Sequence, residues 1–391
     1  MQRRISTLHA PHALVAAAAA AAVVATLGMA ASPPGSRHKQ PELESRSVPI
    51  ITVDHRQFRD LDRNGRLTPY EDWRLDAGHR TADLLRRMTL EQKAGLMVHG
   101  TLPTAGSPIG AGQVYDLAAL APILVDRHVT TLITRLSAPP ESMAEQSNLV
   151  QELAEAQPLA IPVVISTDPR NGFSVAQGQT VARVGTTSMP DFPGFAATGD
   201  KRLTRTLADI VRQEYRALGL QESLSPQADI ATEPRWTRIN GTFGSDPGIA
   251  SKHVQAYVEG MQDGSDGLEP SSVATVTKHW AGYGAQENGY DSHYYYGRYA
   301  VFPGNNFDAH LVPYEGAFRA DTAGVMPTYS ILKDLVVDGH PVEQVGAGFN
   351  EFLLQDLLRE QYGFDGVILS DWSTPALIDF ANRSVLSLIH I

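Results

Sequence analysis

From about residue 90 onward, short apolar runs alternate with longer stretches in which apolar positions recur every three or four residues. The runs at 96–99, 131–136, 162–167, 222–226, 273–279, 324–329 and 366–370 are rich in Val, Ile and Leu. Several are continuous and do not alternate strictly, the pattern of strands covered on both faces. Helical stretches lie between them, among them 200–218 and 350–362. In the second, Asn350 is placed to cap the N-terminus, and Phe352, Leu353, Leu357 and Leu358 share one buried face. Repeated strand–helix units predict a parallel sheet with right-handed crossovers. Seven units point to an α/β fold of the (β/α)8 TIM-barrel type, one unit short. An open doubly wound sheet is the alternative.

The polar positions separate these two folds. In α/β barrels the reactive groups sit at the C-terminal ends of the strands and in the loops that follow. Here Asp168 follows the third run and Arg238 lies in the loop after the fourth. Lys278 and His279 end the fifth, Tyr329 ends the sixth, and Asp371 and Trp372 follow the seventh. Any one of them alone reads as a surface or packing residue. Together, at equivalent positions, they read as one site. The set suits sugar hydrolysis, which needs a carboxylate facing a developing oxocarbenium ion, an acid for the leaving oxygen and donors for hydroxyl groups. Asp371 is the candidate nucleophile and Asp168 an acceptor for two hydroxyls. Arg238, Lys278 and His279 are donors, Trp372 is an apolar platform, and Tyr329 is placed to orient Asp371.

Composition narrows the partners. The 391 residues are 42% hydrophobic and 19% charged, enough apolar material for a large core. The net charge of −11 and the lack of a basic run argue against nucleic acid. With no cysteine, disulfides, thiol catalysis and Cys-ligated zinc are excluded. Arg3 and Arg4 precede an apolar, Ala-rich stretch at 13–27, followed by Gly28, Met29, Ala30, Ala31 and Ser32. This is the layout of a secretory signal over residues 1–31. The stretch falls short of the about 20 strongly apolar residues of a membrane span. The expectation is an exported protein, periplasmic or extracellular, with no membrane association beyond the signal. Residues 32–79 then read as a linker and N-terminal segment, its first part rich in Pro, Ser and charge.

Four motifs carry a family resemblance. Tyr362-Gly-Phe-Asp-Gly-Val-Ile-Leu-Ser-Asp-Trp372 resembles the nucleophile signature of glycoside hydrolase family 3. Lys278-His-Trp-Ala-Gly-Tyr-Gly284 resembles its Lys-His motif, and Glu233-Pro-Arg-Trp-Thr-Arg238 with Phe243-Gly-Ser-Asp-Pro247 its Arg-containing loop. Ser166-Thr-Asp-Pro-Arg170 resembles its strand-three aspartate motif. The resemblance implies a retaining β-glycosidase acting on an oligosaccharide or β-glucoside, with Asp371 forming a glycosyl-enzyme intermediate and no cofactor needed for catalysis. Asp168, Arg238, Lys278, His279 and Tyr329 would line the subsite for the non-reducing sugar. The sequence departs from the family pattern at Thr237, Gly241 and Ser245, which bears on the substrate.

The acid is open. In many family members it is a glutamate of a further domain after the barrel, for which this chain has no room. The β-N-acetylhexosaminidase branch uses an Asp-Ser-His dyad, and Asp291-Ser292-His293 lies in the corresponding loop, two residues further along. The plainer reading makes this loop a sugar-binding rim of Tyr290, Tyr294, Tyr295 and Tyr296. An inert carbohydrate-binding protein would use the same pocket. Separately, Asp60, Asp62, Asn64, Gly65 and Glu71 fit positions 1, 3, 5, 6 and 12 of an EF-hand loop. Structural calcium and a metal-free turn are both open there. The barrel would span 80–385. Residues 386–391 read as a non-native tail, so a longer natural protein is expected.

Overall fold

The computed structural model describes residues 39–106, 112–171 and 185–372. The signal reading of 1–31 and the tail reading of 386–391 lie outside these residues. Seven parallel strands make the main sheet: β1 (His99–Thr101), β2 (Thr131–Ile133), β3 (Val164–Thr167), β4 (Glu222–Ser223), β5 (Ala274–Trp280), β6 (Gly324–Pro327) and β7 (Val367–Ile368). They are hydrogen-bonded in chain order, β1 to β7, every pair parallel. A doubly wound sheet reverses its order at a switch point, and this one does not. The fold is therefore the barrel type.

The longer α-helices between the strands are α1 (Leu117–Val125), α2 (Pro140–Glu155), α3 (Lys201–Ala217), α4 (Pro247–Met261) and α5 (Val312–Arg319). Helix α3 starts where the Asp200 carboxylate accepts from Arg202 N, and it buries Thr204, Ala208, Val211 and Tyr215 at helical spacing. Helix α4 starts at Asp246, which accepts from Ile249 N, with Pro247 at the first helical position. A large apolar core lies between strands and helices. A second, smaller cluster joins Ile133, Leu224, Val276, Met326 and Leu369, with Trp372 packed on it. These residues belong to or follow strands spread across the sheet, as in a barrel interior. The two ends of the sheet approach each other: His99 of β1 and Trp372 beyond β7 have ring centroids 5.4 Å apart.

Some expectations need correction. The first strand is not 96–99, because Leu90–Leu96 is a helix and β1 begins at His99. A capping box of Thr89 and Gln92 starts that helix and outweighs the apolar run. The stretch at 350–362 is wound as a π-helix, Phe352–Gln361. Asn350 Oδ1 does accept from Leu353 N at 3.0 Å, but Leu354 joins the buried face and Phe352 is only half-buried. The segment at 32–79 is described from residue 39 onward. Arg46 N and Ser47 N donate to Glu155 Oε2 at 2.7 and 2.9 Å, and Ile50–Val53 pairs with Arg56–Arg59 as a hairpin. Among the described residues no helix is long and apolar enough to cross a membrane.

Candidate active site

The strand ends bring the candidate residues into one connected cluster. Lys278 Nζ lies 2.8 Å from Asp168 Oδ1, both side chains largely buried. A register shift in β5 between Lys278 and Trp280 interrupts the usual alternation beside these two consecutive polar residues. His279 Nε2 lies 3.8 Å from Asp371 Oδ2. Asp371 Oδ1 accepts from the Trp372 backbone N–H at 2.7 Å. The Tyr329 hydroxyl donates to the Trp372 carbonyl at 2.5 Å, so it clamps the backbone that follows Asp371. Burial, and then the Asp371 carboxylate, push that hydroxyl far above the usual tyrosine range.

Arg238 reaches the cluster through Tyr283. Its Nη1 donates to the Tyr283 hydroxyl at 3.3 Å, and its guanidinium lies over the same ring. Burial works against its charge, but Tyr283, Asp371 and Asp291 outweigh it and hold the guanidinium above the usual arginine range. Tyr283 also donates to Asp291 at 2.9 Å. Asp291 accepts from Trp236 Nε1 at 2.8 Å and meets His293 Nδ1 at 2.5 Å. Burial opposes its charge, while His293 and Arg238 draw its carboxyl well below the usual range. The His293 ring packs on Tyr329, centroids 4.7 Å apart. The loop's tyrosines Tyr290, Tyr294, Tyr295 and Tyr296 are exposed, with Tyr294 and Tyr296 stacked. One loop thus carries both features weighed for it: an inward Asp291–His293 contact and an aromatic outer surface.

Sequence reasoning missed several members. Asp229, 2% exposed, holds His279: its Oδ2 lies 2.8 Å from Nδ1, and its Oδ1 accepts from the His279 backbone N–H at 3.3 Å. A lone carboxylate between Ala228 and Ile230 was the available signal, since a charge in an apolar run is buried only with partners. Tyr283 sits inside a motif already noted, yet nothing in its spacing shows that it joins Arg238 to Asp291. His99 and Arg135 flank the Trp372 ring from β1 and from the loop beyond β2.

The predicted metal loop is separate from this cluster's contacts. Oxygens of Asp60, Asp62 and Glu71 converge within 4.8 Å of one another. They also hold the turn without an ion. Asp60 accepts from Asn64 N and Gly65 N, and Glu71 from Leu61 N, Asp62 N and Thr68 N. Asp62 Oδ2 pairs with Arg87 Nη1 at 2.9 Å. Asn64 contributes through its own turn, donating to Asp62. A cation would have to share Asp62 with the Arg87 guanidinium.

Comparison with known proteins agrees with this geometry. Residues 104–385 match the family model described as the glycosyl hydrolase family 3 N terminal domain. The chain belongs to that family. It is 57% identical over 342 residues to a periplasmic beta-glucosidase/beta-xylosidase of Dickeya chrysanthemi, covering 87% of this chain and 52% of the relative. It is 38% identical over 319 residues to beta-glucosidase C of Emericella nidulans, covering 80% and 49%. Among solved structures it resembles a β-glucosidase of Erythrobacter marinus, at TM-score 0.64 and 25% identity, over 80% of this chain and 38% of that one. A family 3 beta-N-acetylglucosaminidase of a Paenibacillus species gives TM-score 0.60 and 26% identity, over 73% and 49%. The chain thus spans about half the length of the curated relatives it matches. One position that departs from the family 3 pattern, Gly241, packs against a buried side chain. A Cβ at Gly241 would sit 2.2 Å from Gln227 Oε1, so a larger residue there would require the Gln227 side chain to shift.

Proposed function

We propose that this chain carries the catalytic centre of an exported retaining glycoside hydrolase that removes terminal β-linked sugars, β-glucosides foremost. The observation that carries the reading is Asp371: a buried carboxylate beyond β7, faced by His279 at 3.8 Å and within the field of Arg238. Its carboxylate attacks the anomeric carbon as the leaving oxygen takes a proton. A covalent glycosyl-aspartate forms, and water hydrolyses it. Asp168, paired to Lys278, accepts from sugar hydroxyls, and Lys278, Arg238 and His279 donate to them. Trp372 offers an aromatic ring in contact with His99 and Arg135. The relatives named β-glucosidase or β-xylosidase support the substrate class. Export is supported by the N-terminal signal layout and by the periplasmic name of the Dickeya relative.

The test is covalent trapping. Incubation with a 2-deoxy-2-fluoro-β-glucosyl fluoride should add one fluoroglucosyl unit, mapped to the peptide bearing Asp371. A label on another carboxylate, or none beside measurable turnover, would overturn the assignment.

A second reading concerns the acid. His293 meets Asp291 and packs on Tyr329, which binds the backbone next to Asp371. That placement supports an acid/base role for His293 of the β-N-acetylhexosaminidase kind. If His293→Phe slows poor leaving groups far more than activated ones, the role stands; equal slowing would leave the loop as a rim.

A further inference from the structure

We propose that Asp229 is a positioning residue. As a carboxylic acid it donates from Oδ2 to His279 Nδ1, which fixes the imidazole as the tautomer whose Nε2–H faces Asp371. The catalytic consequence rests on the glycosidase reading; the tautomer does not.

Proton placement between Asp229 and His279 decides the tautomer. Asp229 Oδ1 is committed as an acceptor, because the His279 backbone N–H points at it. One proton must therefore lie between Oδ2 and Nδ1, 2.8 Å apart. If it sat on Nδ1 of a neutral ring, Nε2 would turn a lone pair toward the Asp371 carboxylate 3.8 Å away. If Nε2 were protonated as well, a buried imidazolium would sit in a pocket that already holds Arg238 and Lys278. With the proton on Oδ2, acid and ring are both neutral, and the Nε2 that lies 3.8 Å from Asp371 Oδ2 carries the hydrogen.

The surroundings agree. Asp229 is 2% exposed and His279 1%. Burial pushes Asp229 up to about 7, against Arg238, the His279 N–H, Lys278 and Gln227. Burial, then Arg238, Lys278 and His293, push His279 well below the usual histidine range. The Tyr283 ring meets the imidazole edge-on with centroids 4.6 Å apart, which holds its plane. A carboxylic acid kept neutral by its site so that it can donate is an attested device.

The experiment reads the ring directly. In protein labelled with 15N-histidine, long-range 1H–15N spectra distinguish the tautomers, and the His279 signals are those lost in His279→Gln. A neutral ring protonated at Nε2 is expected; a proton on Nδ1, or on both nitrogens, overturns the proposal. Kinetics give a second arm. Asp229→Leu, which removes the donor, should lower kcat on an aryl β-glucoside about 100-fold. Asp229→Asn supplies an amide donor in the same place and should recover most of that loss. An asparagine variant as slow as the leucine variant overturns the proposal. Wild-type turnover, and its loss in Asp371→Asn, are measured alongside; their failure would sink the glycosidase reading and leave the spectrum to decide the tautomer.

Discussion

Lys278 Nζ lies 2.8 Å from Asp168 Oδ1, joining the end of β5 to the end of β3. Both side chains are largely buried, at 9% and 13% exposure. Removing one partner leaves a charge with little water to replace it. Lys278→Met should therefore destabilise the fold by about 3 kcal/mol in urea unfolding. Adding Asp168→Asn should recover part of the loss. A double variant no more stable than Lys278→Met would show that the pair is not what the site needs.

Asp371→Asn keeps the shape of the side chain and removes its nucleophilicity. Turnover of an aryl β-glucoside should fall about 10⁴-fold. Calorimetry should still detect sugar binding, because Asp168, Lys278 and Arg238 are untouched. Surviving hydrolysis would move the nucleophile elsewhere.

Glu222 opens β4, and among the described residues its Oε1 has no hydrogen-bond partner. Burial raises its carboxyl from the ordinary 4.5 to about 7. A raised acid binds its proton more tightly folded than unfolded. It costs nothing below pH 4.5, and stability falls as pH rises from there towards 7. Glu222→Gln should match the wild type at pH 4 and exceed it at pH 8 by up to about 3 kcal/mol. Denaturant melts at the two pH values measure this. An equal gap at both would assign the effect to packing.

Glu71 holds the Asp60 loop through four contacts. Its oxygens accept from Leu61 N, Asp62 N, Thr68 N and the Thr68 hydroxyl. Glu71→Gln turns one acceptor into a donor facing donors and should cost about 2 kcal/mol. The same melts with added calcium read the competition with Arg87. A rise in Tm on adding calcium would mark the loop as metal-holding, and an unchanged Tm would leave Asp62 with the guanidinium.

The sites that were legible in the sequence share one property: they sit in short polar stretches that interrupt apolar runs. Asp168, Lys278, His279 and Asp371 could be placed because each directly follows or ends such a run. The edges of the runs were less legible. The capping box of Thr89 and Gln92 converts part of the first into helix, so β1 starts at His99. Asp229 was not legible as part of the site, because its partner is 50 residues away along the chain. The Asp291 network was half legible. The dyad with His293 is local, whereas Trp236 Nε1 and the Tyr283 hydroxyl reach Asp291 through space.

The sequence by itself determined the repeating strand–helix order and the residues that end each strand, because periodicity and local motifs are written in neighbouring positions. Only the tertiary structure decided which of those ends meet and how each side chain is held. Curling the sheet in chain order sets Trp372 beside His99. It also puts Asp229 behind His279 and Asp371 before it. Those relationships depend on the curvature of a sheet and on burial far from water, and neither is a property of adjacent residues.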